Sequence, residues 1–206
     1  ILSVVNVVGS SVARESDDVF YTWAGPEIAV ASTKAYTTQL MCMYLIALYM
    51  GHTKGVIDQN YYDSFIEELK GIERKENGDI YIGAGTVFSH ITADPIIQKY
   101  IPVLGEAVDQ VGGPQIRNIG TIGGNICNGA VSADSAPTVF SYNALLHIAN
   151  AEGGRSVPVR EFYLGPGRVA LKQGEVLTHV IIPKNEYEGY HGHYIKYSMR
   201  NAMDIA

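Results

Sequence analysis

The 206-residue sequence has no cluster of basic side chains. Its 15 Lys and Arg against 21 Asp and Glu give a formal net charge of −6 at pH 7, whereas a nucleic-acid surface needs grouped cations to neutralise phosphates. Cys42 and Cys127 are the only cysteines, too few for a four-thiolate cluster or a disulfide framework. We therefore expect no nucleic-acid partner, no metal site and, because unpaired thiols suit a reducing compartment, a cytoplasmic location.

Long apolar segments are also missing. The longest run, Leu40 to Met50, is well short of the roughly 20 residues that span a bilayer. This run is more typical of a buried helix, and we expect no membrane association.

Residues 1–70 have the pattern of an α/β piece. The run from Ile1 to Val8 is apolar except for Ser3 and Asn6, and it resembles a strand of a parallel sheet that is covered on both faces. A second strand is predicted over 19–23, and helices over 34–50 and 60–70, with Ser32 or Thr33 as the cap of the first helix.

Residues 71–206 differ in texture, because short strand-like runs separated by turn signals replace the apolar runs of the first piece. The patterns predict a strand over 80–85 and helices over 88–94 and 101–111. A glycine-rich tract follows over 112–129, and short strands with turns fill the rest. This part is predicted to be α+β, with a boundary between domains at about residue 70.

Two stretches of the first piece, residues 9–17 and 24–35, closely resemble the sugar-isomerase (SIS) domain of glutamine–fructose-6-phosphate aminotransferases. The resemblance implies a parallel sheet with helices, a sugar phosphate as partner, and Val30 and Ser32 in its pocket. Capping of the following helix is the simpler interpretation of Ser32 and is favoured over a place in the pocket. The family's phosphate loop and acid–base residues have no counterpart here, so we expect an incomplete and inert SIS piece.

The tract 113–129, followed by residues 132–135, closely resembles the FAD-binding subunits of xanthine dehydrogenases, in the molybdopterin dehydrogenase family. The resemblance implies a PCMH-like α+β fold, bound FAD, molybdenum-cofactor and iron–sulfur partner subunits, and NAD as electron acceptor. The residues that it implies for FAD contact are Val111, Thr121, Ile122, Gly123, Gly124, Asn125, Asp134, Leu177 and Lys196.

The residue types of the tract are compatible with a flavin nucleotide. Glycines let backbone N–H groups approach a diphosphate, and Asn and Asp side chains can bind hydroxyl groups. The alternative is that the glycines only permit turns. Because the family's upstream diphosphate loop has no counterpart here, we expect FAD to bind weakly.

The sequence therefore predicts a truncated FAD-binding electron-transfer module fused to a sugar-isomerase fragment, with domains at 1–70 and 71–206, both incomplete. No catalytic residue can be assigned. Two alternatives stay open: a sugar-phosphate binding or isomerase fragment, and a fusion without native function.

Overall fold

The computed structural model describes residues 1–22, 43, 45–150 and 152–198. The chain divides into two compact units, Ile1–Ser64 and Phe65–Ala206.

The first unit begins with a strand, a helical turn and a second strand: β1 (Leu2–Val5), α1 (Ser11–Arg14) and β2 (Asp18–Tyr21). The two strands pair in parallel, with Leu2 opposite Asp18, and Ser10 caps α1 by accepting from the Ala13 N–H at 3.3 Å. Strand β1 is shorter than the predicted run 1–8, because the chain turns after residue 5. The second strand, predicted over 19–23, is observed over 18–21, and residue 23 lies outside the described residues. Residues 45–53 are helical, and Gly55 follows with a left-handed φ of 70°.

The second unit has one five-stranded sheet and a set of short helices. Helix α2 (Gln59–Lys70) enters it, and the elements that follow are β3 (Ile72–Arg74), β4 (Ile80–Gly83), α3 (Phe88–Ala93), α4 (Pro95–Tyr100), α5 (Pro102–Asp109), α6 (Pro114–Arg117), α7 (Ile122–Cys127), α8 (Ser135–Ser141), β5 (Leu145–Asn150), β6 (Gly153–Pro158), α9 (Val159–Phe162), β7 (Tyr163–Gly165), β8 (Arg168–Val169), β9 (Val176–Ile182) and the 3-10 turn Lys184–Glu186.

The sheet has the order β3-β4-β9-β5-β6, and all its pairs are antiparallel. Strand β9 is central, with Ile80 opposite Ile182 on one side and Leu146 opposite Val180 on the other. Alternate residues of these strands face the helices. The core between them contains the fully buried Ile80, Ile82, Phe88, Ile91, Leu104, Ile122, Ile126, Leu146 and Ile182.

The helices predicted over 88–94 and 101–111 are observed as α3 (Phe88–Ala93) and α5 (Pro102–Asp109). The expectation of strands and turns was wrong for residues 112–141, which contain α6, α7 and α8. Helix α4 was missed, although Asp94 caps it by accepting from the N–H groups of Ile96 (2.8 Å) and Ile97 (3.2 Å), with Pro95 at the first helical position. The glycine-rich tract also contains two helices, α6 and α7, instead of being only loop.

Candidate functional site

The segment Thr121–Asn125 forms the start of α7. Thr121 is the cap, and its Oγ1 accepts from the Gly124 N–H at 3.1 Å. The N–H of Ile122 donates to Thr86 O (3.1 Å), that of Gly123 to Ala84 O (2.9 Å) and that of Asn125 to Thr121 O (3.0 Å). Each backbone donor of residues 122–125 is therefore bonded within the protein. The expectation that these N–H groups point at a diphosphate does not fit this geometry.

The two adjacent glycines of α7 have different surroundings. Gly123 is buried, and a Cβ at this position would lie 2.6 Å from Ala84 Cβ and 2.7 Å from Ala84 O. Gly124 is exposed, and a Cβ there would meet only Thr121 Oγ1, at 3.0 Å. The absence of a side chain at Gly123 thus lets α7 pack closely against the end of β4, whereas at Gly124 it leaves the backbone exposed on the surface.

Asn125 is connected to the start of α8 by a side-chain hydrogen bond. The Ser135 hydroxyl, which is fully buried, donates to Asn125 Oδ1 at 2.6 Å. The residue before Ser135 is Asp134, so the helix start brings Asn125 and Asp134 to the same place.

Asp134 is held by two side chains from the C-terminal part of the chain. Lys196 Nζ lies 3.0 Å from the carboxylate and 3.3 Å from Gln110 O. The Tyr194 hydroxyl donates to Asp134 Oδ1 at 2.8 Å. Burial, together with this bond, raises the pKa of Tyr194, so its hydroxyl stays protonated as a donor. Asp134 and Lys196, both predicted to contact FAD, lie far apart in sequence but are in direct contact in the structure.

Tyr194 and Lys196 belong to a segment without regular structure, residues 190–197, here called the strap. Glu106 of α5 fastens it by accepting from the Tyr194 N–H at 2.9 Å and pairing with His193 Nδ1 at 2.8 Å. His193 therefore has a structural contact, and in the described ranges no group of His, Cys, Asp and Glu could hold a metal ion.

The remaining predicted residues lie apart from these contacts or outside the described part. Val111 packs partly buried against the core beside Gln110, and its carbonyl accepts from Arg117 Nη1 at 3.4 Å. Leu177 is a core residue of β9, only 4% exposed. Val30 and Ser32, predicted for the sugar phosphate, lie outside the described residues.

Cys127, at the end of α7, is an inert thiol. Burial raises its pKa to about 12, so it is protonated at neutral pH and is not a reactive nucleophile. Tyr163 has a pKa raised to about 12 by burial and then by Cys127, and its hydroxyl has no partner among the described residues.

A groove of about 470 Å³ lies on the other face of the sheet and is lined by Glu67, Gly71, Glu73, Lys75, Tyr81, His147, Ser156, His179 and Ile181. His147 and His179 are directly opposite on β5 and β9. None of the predicted FAD residues lines this groove, so it does not contribute to the candidate site.

Side chains, rather than backbone, give the candidate site its ligand chemistry. Beside the bare backbone of Gly124 stand the hydroxyl of Thr121 and the amide of Asn125, and Asp134 and Lys196 add a carboxylate and an ammonium. This set fits the hydroxyl and carbonyl oxygens of a flavin nucleotide. It provides no nest of free N–H groups for the diphosphate.

The second unit is thus an α+β domain in which a polar cluster lies beside a glycine-containing helix, and this helix packs on an antiparallel sheet. Residues 56–185 match the family model described as FAD binding domain in molybdopterin dehydrogenase. The chain belongs to this family. Residues 1–49 match the SIS domain model.

Relatives agree with both matches. The chain is 45% identical over 141 residues to a putative xanthine dehydrogenase FAD-binding subunit of Escherichia coli, covering 68% of this chain and 48% of that protein. It is 55% identical over 75 residues to a glutamine–fructose-6-phosphate aminotransferase of Clostridium tetani, covering 36% of this chain and 12% of that protein. The chain thus spans about half the length of the flavin-subunit relative, and a small part of the other.

Solved structures agree with the fold of the second unit. A quinoline 2-oxidoreductase of Pseudomonas putida is 28% identical with a TM-score of 0.63, covering 68% of this chain and 47% of that chain. A carbon monoxide dehydrogenase of Hydrogenophaga pseudoflava is 34% identical with a TM-score of 0.55, covering 57% of this chain and 40% of that chain. The predicted α+β class of the FAD-binding part is confirmed, while the detailed SIS fold stays a prediction.

Sequence reasoning missed Ser135, Tyr194 and Gln110 as members of the site. Ser135 stands next to Asp134 in the tract that resembles the flavin subunits, and Tyr194 precedes Lys196 by two residues, which puts both on one side of an extended chain. Gln110 takes part through its carbonyl, so no side-chain pattern could have indicated it.

Proposed function

We propose that this chain binds FAD at the cluster formed by Gly124, Asn125, Asp134 and Lys196, and that it is part of an electron-transfer module of the xanthine dehydrogenase type. The observation that carries the proposal is the convergence of these residues, which come from α7, the start of α8 and the strap. FAD supplies the redox chemistry when bound, and the protein groups bind and orient it.

The charges of the cluster suit a polar, anionic nucleotide held at its hydroxyl groups. Lys196 offsets the Asp134 carboxylate at 3.0 Å, so the pair adds no net charge to the surface. Asp134 is 12% exposed and keeps acceptor capacity beyond the bonds from Lys196 and Tyr194. A ribityl or ribose hydroxyl can donate to it without displacing either partner.

Family membership supports further parts of the proposal. We propose molybdenum-cofactor and iron–sulfur subunits as partners, NAD as electron acceptor, and a cytoplasmic location. The described part of the chain has no helix both long and apolar enough to cross a membrane. The domain boundary at residue 70 stays part of this proposal.

The test is a titration of the chain with FAD, in which binding is measured by the quenching of flavin fluorescence. Gly124→Val places a branched side chain on the bare backbone beside Thr121 Oγ1, and we expect it to abolish binding. Gly113→Val is the matched control, because Gly113 is extended (φ −105°) and a Cβ there meets only a Gln115 side-chain atom, at 3.4 Å. Unchanged FAD affinity in Gly124→Val would show that the site is assigned wrongly.

A second candidate function is sugar-phosphate binding by the first unit. It is favoured by the SIS match over residues 1–49 and by 55% identity to an aminotransferase over 75 residues. Val30 and Ser32 are the residues proposed for it.

A further inference from the structure

Asn125 is the member of the cluster whose contact with a ligand depends most on how its side-chain amide is oriented. Its amide has an acceptor end and a donor end, and exchanging them reverses what the side chain offers a ligand. Its backbone N–H is already bonded to Thr121 O at 3.0 Å, so the side chain is its means of donating to a ligand.

The hydroxyl of Ser135 makes contact with one end of this amide. It donates to Asn125 Oδ1 at 2.6 Å, and Ser135 itself is 0% exposed. A buried hydroxyl without a partner is costly, so this bond is strongly favoured over an open arrangement. With Oδ1 engaged, Nδ2 is the end of the amide that faces away from Ser135.

The rigidity of the serine strengthens the effect. Ser135 is the first residue of α8, whose Thr138 and Val139 are also buried, so its backbone is fixed by the packing of the helix. A short side chain on a fixed backbone has few rotamers with which to follow a moving partner. Asn125 on α7 is only partly buried, so its longer side chain has more room to change rotamer than that of Ser135.

We infer that Ser135 is a positioning residue that holds the Asn125 amide with its Nδ2 donor directed at an oxygen of the flavin nucleotide. The inference rests on the proposed FAD site, and adds to it a buried residue that does not itself touch the ligand. If the amide were reversed, Nδ2 would face the hydroxyl, and the buried Ser135 O–H would lose Asn125 Oδ1 as its acceptor. Ser135 therefore disfavours the orientations of Asn125 in which the amide oxygen would face the ligand oxygen.

The first experiment is a double-mutant cycle in the full chain, with the dissociation constant of FAD measured for the unaltered chain, Ser135→Ala, Asn125→Ala and the double variant. Ser135→Ala removes the hydrogen bond that orients Asn125, and we expect the affinity for FAD to fall by about 3- to 10-fold. In the Asn125→Ala background the same change should have almost no effect, because the residue through which Ser135 acts is gone.

The matched control is Ser141→Ala. Ser141 lies on the same helix and its hydroxyl also bonds, but to the backbone carbonyls of Pro137 (2.9 Å) and Thr138 (3.0 Å). We expect its FAD affinity to equal that of the unaltered chain. Equal weakening by Ser141→Ala and Ser135→Ala would mean that any damage to α8 has this effect, and would overturn the inference.

A second measurement needs no FAD. The NMR order parameter of the Asn125 side-chain amide should be high in the unaltered chain and in Ser141→Ala, and should fall in Ser135→Ala. An unchanged order parameter in Ser135→Ala overturns the inference even where binding is too weak to compare.

The outcomes separate the two proposals. FAD binding that is lost in Gly124→Val but equal in Ser135→Ala and the unaltered chain leaves the proposed site intact and rejects the role of Ser135. If Ser135→Ala weakens FAD binding by the same factor in the Asn125→Ala background, the role of Ser135 is also rejected. No FAD binding by the unaltered chain rejects both proposals.

Discussion

Replacing Gly123 by Ala tests how closely α7 approaches the end of β4. The added Cβ would lie 2.6 Å from Ala84 Cβ, 2.7 Å from Ala84 O and 3.0 Å from Ala84 Cα, whereas carbon atoms in favourable contact are about 3.5–4.0 Å apart. Ala84 cannot easily yield, because its N–H donates to Thr178 O at 2.8 Å and its carbonyl accepts from Gly123 at 2.9 Å.

Relief must therefore come from α7, which would move away from the sheet and loosen the fully buried Ile122 and Ile126. Overpacking of this kind costs about 1–3 kcal/mol. Alanine regains up to about 1 kcal/mol over glycine in a helix. We expect a net loss of about 1–2 kcal/mol in the free energy of unfolding of the second unit, or about 5- to 30-fold in its unfolding equilibrium.

Hydrogen exchange followed by mass spectrometry is the suitable assay, because it reports on peptides of the second unit alone. Protection of β4 and β9 amides should fall by the stated factor in Gly123→Ala. Gly124→Ala, the neighbouring control, should stay within about 1 kcal/mol of the unaltered chain, since its Cβ meets only a hydroxyl that can rotate away. Protection in Gly123→Ala equal to that of the unaltered chain would refute the steric argument.

Three further predictions concern affinity, acid stability and isomerase activity. FAD should bind this chain several powers of ten more weakly than a complete flavin subunit. We expect no counterpart of the family's diphosphate loop in residues 1–70, and each charge-assisted hydrogen bond of such a loop would contribute about 1.5–3 kcal/mol. Comparable affinities, in a titration beside a chain with the family's own segment in place of residues 1–70, would contradict this. Arg155, at 2.8 Å, and then the Lys172 N–H lower the pKa of Glu175 from 4.5 to about 2. Because its pKa is lowered on folding, ionised Glu175 stabilises the fold above pH 4.5, and this contribution is lost as the pH falls towards 2. The stability of Glu175→Gln, measured by acid unfolding with circular dichroism, should therefore depend less on pH over this range. Identical curves for the two chains would contradict the prediction. The SIS piece should not convert fructose 6-phosphate to glucose 6-phosphate, and turnover that disappears in Ser32→Ala would overturn this.

The sequence predicted elements where one local signal dominated. The amphipathic pattern gave helix 60–70, observed as Gln59–Lys70, and the apolar run at 80 gave the strand Ile80–Gly83. Helix α7 could not be predicted from local preference, because Gly123 and Gly124 disfavour helix. Its formation depends on tertiary contacts of Gly123 with Ala84 and on the cap by Thr121.

The candidate site could be predicted only as a set of residues, through resemblance, and not as an arrangement. The pairing of Asp134 with Lys196 joins positions far apart in sequence, and neither local composition nor periodicity indicates it. The expectation that the N–H groups of Gly123 and Gly124 are available to a diphosphate does not fit the structure, since both groups are bonded within the protein. Leu177, named with the same set, is a core residue of β9, and its contact with FAD stays a prediction.

The position of β9 in the middle of the sheet has a consequence for how the chain folds during synthesis. Before residues 176–182 have left the ribosome, β3 with β4 and β5 with β6 can form only two separate hairpins, because β9 is the strand that joins them. The pairing of Ile80 with Ile182 also closes a very long loop, which slows folding. The nascent chain therefore exposes the apolar faces of both hairpins until β9 arrives, and a chaperone that binds such faces should act in this interval.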